Sequence, residues 1–520
     1  TIALKGTTIG TVTDATGHYF LKNLPEGNFV MEVSSVGYKT VTRNVTLKKG
    51  KTLEENFELE EDAIALDGVV VSANRSETTR RLAPTLVNVV DLKLFETTNS
   101  STLSQGLNFQ PGVRVETNCQ NCGFQQVRIN GLDGPYTQIL IDSRPVFSAL
   151  SGVYGLEQIP ASMIERVEVM RGGGSALFGS SAIAGTINII TKEPLRNSGQ
   201  LSHTITSIGG SSAFDNNTSL NASLVTDDHR AGLYIFGQNR HRSGYDYDGD
   251  GFTELPKLKN QTVGFRSYLK TSTYSKLTFE YHHMQEFRRG GDMLDRPPHE
   301  AHIAEQLQHS IDGGSLKYDY FSPNEKNRLS VFASAANTDR DSYYGPGNDP
   351  LKAYGKTTDL TAMGGVQYVH TFDKCLFMPS DLTAGLEYNR DRLKDNMWGY
   401  DRHTDQTVKV YSAFLQNEWK NKHWGILIGG RLDKHNMVDD VIFSPRANLR
   451  FNPTDNINLR LSYSSGFRAP QAFDEDMHIE NVGGTVAMIE RAKDLKEEKS
   501  QSFSASADMY HRFGAFQTNL

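Results

Sequence analysis

From about Gly199 onward, hydrophobicity alternates with a period of two over one strand-length run after another. Leu277, Phe279 and Tyr281 interleave with Lys276, Thr278, Glu280 and His282; Ile457, Leu459, Leu461 and Tyr463 interleave with Asn458, Arg460, Ser462 and Ser464. Successive side chains of a strand point to opposite faces, so such runs build sheets with one apolar and one polar face. The connections narrow the choice further. Asp227-Asp228-His229, Ser322-Pro323-Asn324-Glu325 and Asn452-Pro453-Thr454-Asp455 are tight turns, whereas the connections near Tyr245, Gly290, Pro346, Tyr400 and Met477 are long. Short turns at one end and long loops at the other, with apolar residues outside, are the marks of an antiparallel barrel in lipid. A mean hydropathy of -0.48 does not oppose this, because alternation averages away what a helical span would show as about 18 consecutive apolar residues. Counting runs gives about 14 strands by this pattern.

The segment before the barrel reads as a compact α+β domain. It contains Arg128-Ile129-Asn130-Gly131-Leu132, then Gln138-Ile139-Leu140-Ile141-Asp142-Ser143-Arg144, then Ile164-Glu165-Arg166-Val167-Glu168-Val169-Met170-Arg171-Gly172, and Ala182-Ile183-Ala184-Gly185-Thr186-Ile187-Asn188-Ile189-Ile190-Thr191. In order and spacing these four pieces closely resemble the plug domain of TonB-dependent outer-membrane receptors. Phe467-Arg468-Ala469-Pro470 and Asp494-Leu495-Lys496-Glu497-Glu498-Lys499 resemble landmarks that such receptors carry well before the barrel ends. Against the roughly 22 strands of plugged transporters, the barrel is then expected to be incomplete in this chain.

Residues 1–60 show short strand-like runs separated by turn chemistry, such as Asp14-Ala15-Thr16-Gly17 and Leu24-Pro25-Glu26-Gly27, and are expected to form a small β-sandwich. The pattern G-T-V-T-D-x-x-G-x-Y-x-L-x-N-L-P-x-G over 10–27, with Val36-Gly37-Tyr38 after it, resembles the carboxypeptidase-regulatory-like domain, an accessory module that is expected to be partial here. Residues 61–75 hold Leu66, Asp67, Val69, Val70 and Val71. They look like a TonB box, an extended β-branched segment able to add as a strand to a periplasmic partner, although an ordinary linker strand has the same composition. The expected organisation is therefore mainly β: a regulatory-like sandwich over 1–60, a TonB box and linker over 61–75, a plug over 76–195 and a C-terminally incomplete transmembrane barrel over 196–520.

The resemblance makes 117–126 and 147–154 apical plug loops facing the extracellular cavity. Asn118, Gln120, Asn121, Gln125, Ser148, Ser151 and Tyr154 offer hydrogen-bond donors, acceptors and stacking without fixed charge, which suits a large polar ligand. Cys119 and Cys122 form a C-x-x-C that reads as a disulfide, a redox pair or half of a metal site; maturation in an oxidising compartment favours the disulfide. Cys375 falls in a short turn, too distant to pair with either. By family resemblance Arg166 and Arg171 meet barrel glutamates, for which Glu387 and Glu418 are the candidates; if Trp419 faces lipid, Glu418 faces the lumen. Asp246, Asp248, Asp250 and Glu254, with Gly251 at the sixth place, match the first part of a calcium loop, or a merely solvated acidic loop, and Lys257 stands where the twelfth-position glutamate would be.

Other chemistries find less support. Charges of 54 basic and 61 acidic residues give a net -7, with no basic stripe for nucleic acid. His283-Met284-Gln285-Glu286 and His302-Ile303-Ala304-Glu305 match H-x-x-E but lie outside any peptidase-like context, and no nucleophile or metal set converges, so an enzyme is not expected. His299, His302 and His309 share one predicted outer loop, and His478 follows the F-R-A-P run, which keeps haem among the candidate cargoes. The resemblance implies TonB-dependent uptake across the outer membrane of a Gram-negative bacterium, with iron-siderophore first as cargo, then cobalamin, then haem. A surface signalling receptor that transports little is the alternative class. The partners implied are TonB with its inner-membrane complex, a metal-chelate or corrinoid ligand and outer-membrane lipid; a surface lipoprotein is left open. No catalytic cofactor is expected, only structural calcium.

Overall fold

The computed structural model describes residues 1–520 except 15, 36–37, 61–67, 120, 146–155, 158, 181, 346–349, 483–484, 493, 514–515 and 520. Its largest element is an antiparallel sheet of fifteen strands, running in chain order from Ser198–Ser207 to Phe516–Asn519. The expected count of 14 differs by the last strand, which spans only four residues. Alternation decides the facing of each strand. Phe279, Tyr281, Leu386, Leu415, Ile428, Leu459 and Leu461 are exposed on the outer face, while Thr278, Glu387, Gln416, Asn458 and Arg460 are buried inside. Aromatic pairs across strands, such as Trp424 over Phe451 and Tyr463 beside Phe503, reinforce the outer face. Four of the largest fully buried side chains are arginines, Arg288, Arg289, Arg340 and Arg450. They line the inside of the wall, and their burial requires that something polar fill it.

That filling is the plug. Strand Gly185–Thr191 pairs in parallel with Thr137–Ile141 and antiparallel with Ile164–Arg171, which in turn pairs with Val87–Asp91. Asp91 caps helix Leu92–Thr97 by accepting the Leu94 N–H at 2.9 Å, satisfying an amide that the first turn cannot. The apolar core includes Phe95, Leu103, Val167, Val169, Ile187 and Ile189, and Tyr234 and Phe236 of the barrel wall pack into it. Wall arginines also donate to plug carbonyls: Arg431 to Leu177, Arg446 to Ala73 and Arg460 to Ala83. The stopper is thus held from many strands at once.

At the N-terminus, Gly10–Thr11, Ile2–Leu4, Gly27–Val33 and Val41–Leu47 form one four-stranded sheet. Among the described residues the opposing layer of the expected sandwich is not a sheet; Tyr19, Leu21, Leu24, Phe57 and Leu59 pack onto Ile2, Leu4, Met31, Val33 and Val45 from extended segments. Thr8 donates to the carbonyls of Ser272 and Thr273, so this domain touches the short-turn end of the barrel.

Candidate functional site

The end of the barrel opposite those turns is where the plug presents its apical hairpin, Val113–Cys119 with Phe124–Ile129. The Cys122 N–H donates to Cys119 Sγ at 3.4 Å and the Gly123 N–H to the Cys119 carbonyl at 3.0 Å, which closes the tip into one tight turn. Gly123 takes φ +69° there, a conformation glycine adopts without strain. The tip lies against the wall at Gly290, where a Cβ would stand 1.9 Å from the Asn121 carbonyl oxygen. Gln125 reaches a polar cavity of about 290 Å3 that is also lined by Asn108, Thr117, Glu157, Asn217 and Arg240, and its buried Oε1 has no hydrogen-bond partner among the described residues. Asn118 belongs to the first hairpin strand. Gln120, Ser148, Ser151 and Tyr154 lie outside the described residues.

The cysteines are thiols, not the expected disulfide. The turn aims their sulfurs outward, at groups from elsewhere: Cys119 Sγ lies 3.2 Å from the Glu305 carboxylate and Cys122 Sγ 3.4 Å from His478 Nε2. His478 Nε2 also lies 3.4 Å from Glu305. The contact with Cys122 brings the Cys119 thiol down to about 7. Burial alone would lower His478, but Cys119 and Glu305 outweigh it and push it up to about 10. Cys375 is a thiol in its own short connection.

The plug is fastened differently from the sequence expectation. Arg166 pairs with Glu168 on its own strand at 2.9 Å, and Arg171 donates to the Pro111 carbonyl; both remain within the plug because positions 166 and 168 share one face and Arg171 ends its strand. Glu387 and Glu418 do face the lumen, as expected, but their partners are Arg75, 2.5 Å from Glu387, and Asn74, 2.7 Å from Glu418, at the end of the linker that leads into the plug. Arg431 completes the first cluster at 2.6 Å. Further ion pairs join plug to wall. Glu157 meets Arg288 at 2.8 Å, Arg242 at 3.1 Å and Arg240 at 3.5 Å, and Asp142 meets Arg266 at 2.5 Å. Burial would raise the Asp142 carboxyl, yet Arg266 and Thr191 hold it at about 2. The signal for Glu157 was present in the sequence: it is the one charged residue between Arg144 and Glu165.

Leu66 and Asp67 of the expected TonB box lie outside the described residues. The rest is docked, where an unburied segment was expected. Val69 and Val70 pair with Thr79 and Thr78, Val70 is fully buried with Ala73, Ala83 and Val87, and the Val71 N–H, Ser72 N–H and Ser72 hydroxyl all donate to Glu168 Oε2 at 2.8–2.9 Å. A buried carboxylate gathering three donors explains why these valines turn inward.

In the acidic loop, ligand oxygens of Asp246, Asp248 and Glu254 lie within 4.8 Å of one another. Asp250 does not join them as expected, since its carboxylate turns to accept the Phe252 N–H at 2.8 Å. The outer-loop histidines do not converge: His299 meets Tyr354, His302 meets Asp292 and His309 is buried beside Glu286. His283 and Glu286 point to opposite faces, toward Asp312 and Arg288 respectively.

Comparison with known proteins agrees with this architecture. Three family models match: TonB dependent receptor-like beta-barrel over residues 186–520, TonB-dependent receptor plug domain over 79–186 and CarboxypepD_reg-like domain over 1–71. The vitamin B12 transporter BtuB of Vibrio vulnificus strain CMCP6 is 24% identical over 424 residues, 78% of this chain and 64% of that protein. The ferric enterobactin receptor of Pseudomonas aeruginosa is 23% identical over 480 residues, 78% of this chain and 61% of that protein. The chain therefore spans a little under two thirds of these relatives. In the crystal structure of the siderophore receptor PirA from Acinetobacter baumannii the same fold recurs, with a TM-score of 0.71 at 18% identity over 85% of this chain and 70% of that one. Taken with the stopper lodged inside the wall, the barrel match over 186–520 means that the chain belongs to the TonB-dependent receptors.

Proposed function

We propose that this chain serves active uptake of a scarce metal-chelate or corrinoid ligand across the outer membrane of a Gram-negative bacterium, driven by TonB and its inner-membrane complex. One observation carries the reading. Residues 69–75 run without a break from a strap held by Glu168 to Asn74 and Arg75, which fasten the plug to Glu418 and Glu387 of the wall. A pull on the strap therefore acts directly on the plug's own fasteners, which is what coupling a distant energy source to an opening requires. Such a strap suits capture by strand addition to a partner's sheet.

Iron-siderophore is the leading cargo, with cobalamin second and haem third; relatives named as a ferric enterobactin receptor, a siderophore receptor and vitamin B12 transporters support the first two classes. The exposed aliphatic and aromatic outer face supports an outer-membrane lipid setting for the strands. A strain lacking the protein, supplied with single defined iron or cobalamin sources, is expected to lose growth on one of them and to regain it with the gene. Undiminished growth and uptake on every source overturns the reading.

A further inference from the structure

The seam between plug apex and wall carries four donors that the uptake reading does not use. Cys119 and Cys122 come from the plug hairpin, Glu305 from the wall strand Ala304–Phe321, and His478 from the connection after helix Asp474–Met477. One ligand atom from each lies within 4.8 Å of all the others. Their surroundings are apolar: Leu307, Tyr344, Met397 and Ile479 pack around Cys122, and the His478 ring stands edge-on to Tyr344 with centroids 5.4 Å apart.

Tetrahedral bonds of about 2.3 Å to sulfur and 2.0–2.2 Å to nitrogen or oxygen put neighbouring ligand atoms roughly 3.3–3.8 Å apart. The Cys119–Glu305, Cys122–His478 and His478–Glu305 contacts of 3.2, 3.4 and 3.4 Å already stand at the near edge of that range. Two sulfurs, one imidazole and one carboxylate are a donor set for a borderline or soft ion and a poor one for calcium or magnesium. The hairpin is also shaped for the task. Its second-cysteine amide donates to the first sulfur, the tip is seated on Gly290, and three of the six donor pairs already stand near tetrahedral spacing.

We propose that Cys119, Cys122, Glu305 and His478 form a tetrahedral site for one thiophilic metal ion of the zinc class, closed across the plug–wall seam at the long-loop end of the barrel. Binding the ion displaces the thiol protons to solvent and ties three distant parts of the chain to one atom. The site stands whatever cargo the receptor carries.

The test uses the full chain purified in detergent under reducing conditions and loaded with cobalt(II) as a spectroscopic substitute for zinc. One equivalent is expected to bind, with sulfur-to-cobalt charge transfer and the intense visible bands of tetrahedral coordination, and to be displaced by zinc. Cys122→Ser and His478→Ala are each expected to weaken zinc binding by about 100-fold or more, Glu305→Gln by about tenfold, and Cys375→Ser not at all. Protease resistance of the plug in each variant separates lost ligation from lost folding. Absence of the thiolate bands, zinc binding that Cys122→Ser and Glu305→Gln both leave unchanged, or a Cys119–Cys122 disulfide in protein isolated from native membranes would each overturn the site.

Discussion

Glu157 shows how much one side chain can do at the plug–wall seam. Burial would raise its carboxyl, but Arg242, Arg288 and Arg240 outweigh that and hold it far below the usual carboxylate range. A depressed carboxyl contributes its stability fully above about pH 4.5 and loses it only as the pH falls toward its folded value, so this fastener persists through mild acid and fails only in strong acid. Glu157→Ala leaves buried guanidinium groups without their shared counter-charge, and about 3–5 kcal/mol of plug stability should go with it. Thermal unfolding of the plug is the measurement, and an unchanged midpoint contradicts the assignment. Such residues were only half legible in the sequence. The isolation of Glu157 marked it as unusual, but its partners lie 83 to 131 positions away. Arg166 and Arg171 were misassigned because proximity in a motif says nothing about which face of the strand meets the wall.

At the level of elements, two segments make separable predictions. The strap 69–72 is held by strand pairing with Thr78 and Thr79, by burial of Val70 and by one buried carboxylate, so Glu168→Ala should loosen it at a cost of about 1–3 kcal/mol for the donors left unmet. Limited proteolysis should then cut near Val69–Val71 faster than in the parent chain; equal rates mean that Glu168 does not hold the strap. The loop 246–254 is expected to bind calcium weakly, with a dissociation constant on the order of 10⁻⁴–10⁻³ M as in extracellular modules, and Asp246→Asn should abolish that binding while Asp250→Asn leaves it nearly intact. Calorimetry reads both variants, and a flat titration of the parent chain at millimolar calcium removes the loop from the metal sites. The acid spacing was visible in the sequence. The turning of Asp250 to accept the Phe252 N–H was not, because the spacing of acids does not say which way each carboxylate points.

For the molecule as a whole, the period-two alternation and the alternation of short and long connections were enough to foresee the wall, since facing follows directly from the pleat. The plug was legible through its four linked pieces, and its placement inside the barrel is what the buried arginines of the wall demand. The sequence could not show which wall residues the end of the strap meets, because Arg75 and Glu387 are 312 positions apart. Nor could it show that the C-x-x-C hairpin meets Glu305 and His478 at the mouth. On this view the molecule is a stopper wired from one end: residues 69–75 join the pulled segment to the contacts that must break.

Uptake of labelled ferric siderophore and cobalamin by cells carrying Val70→Pro tests that wiring most directly, because proline removes the amide that strand addition and docking both need. Cell-surface ligand binding should persist near the parent level while accumulation falls to that of a strain lacking TonB. Accumulation at the parent rate in either Val70→Pro cells or the TonB-deficient strain would contradict the account.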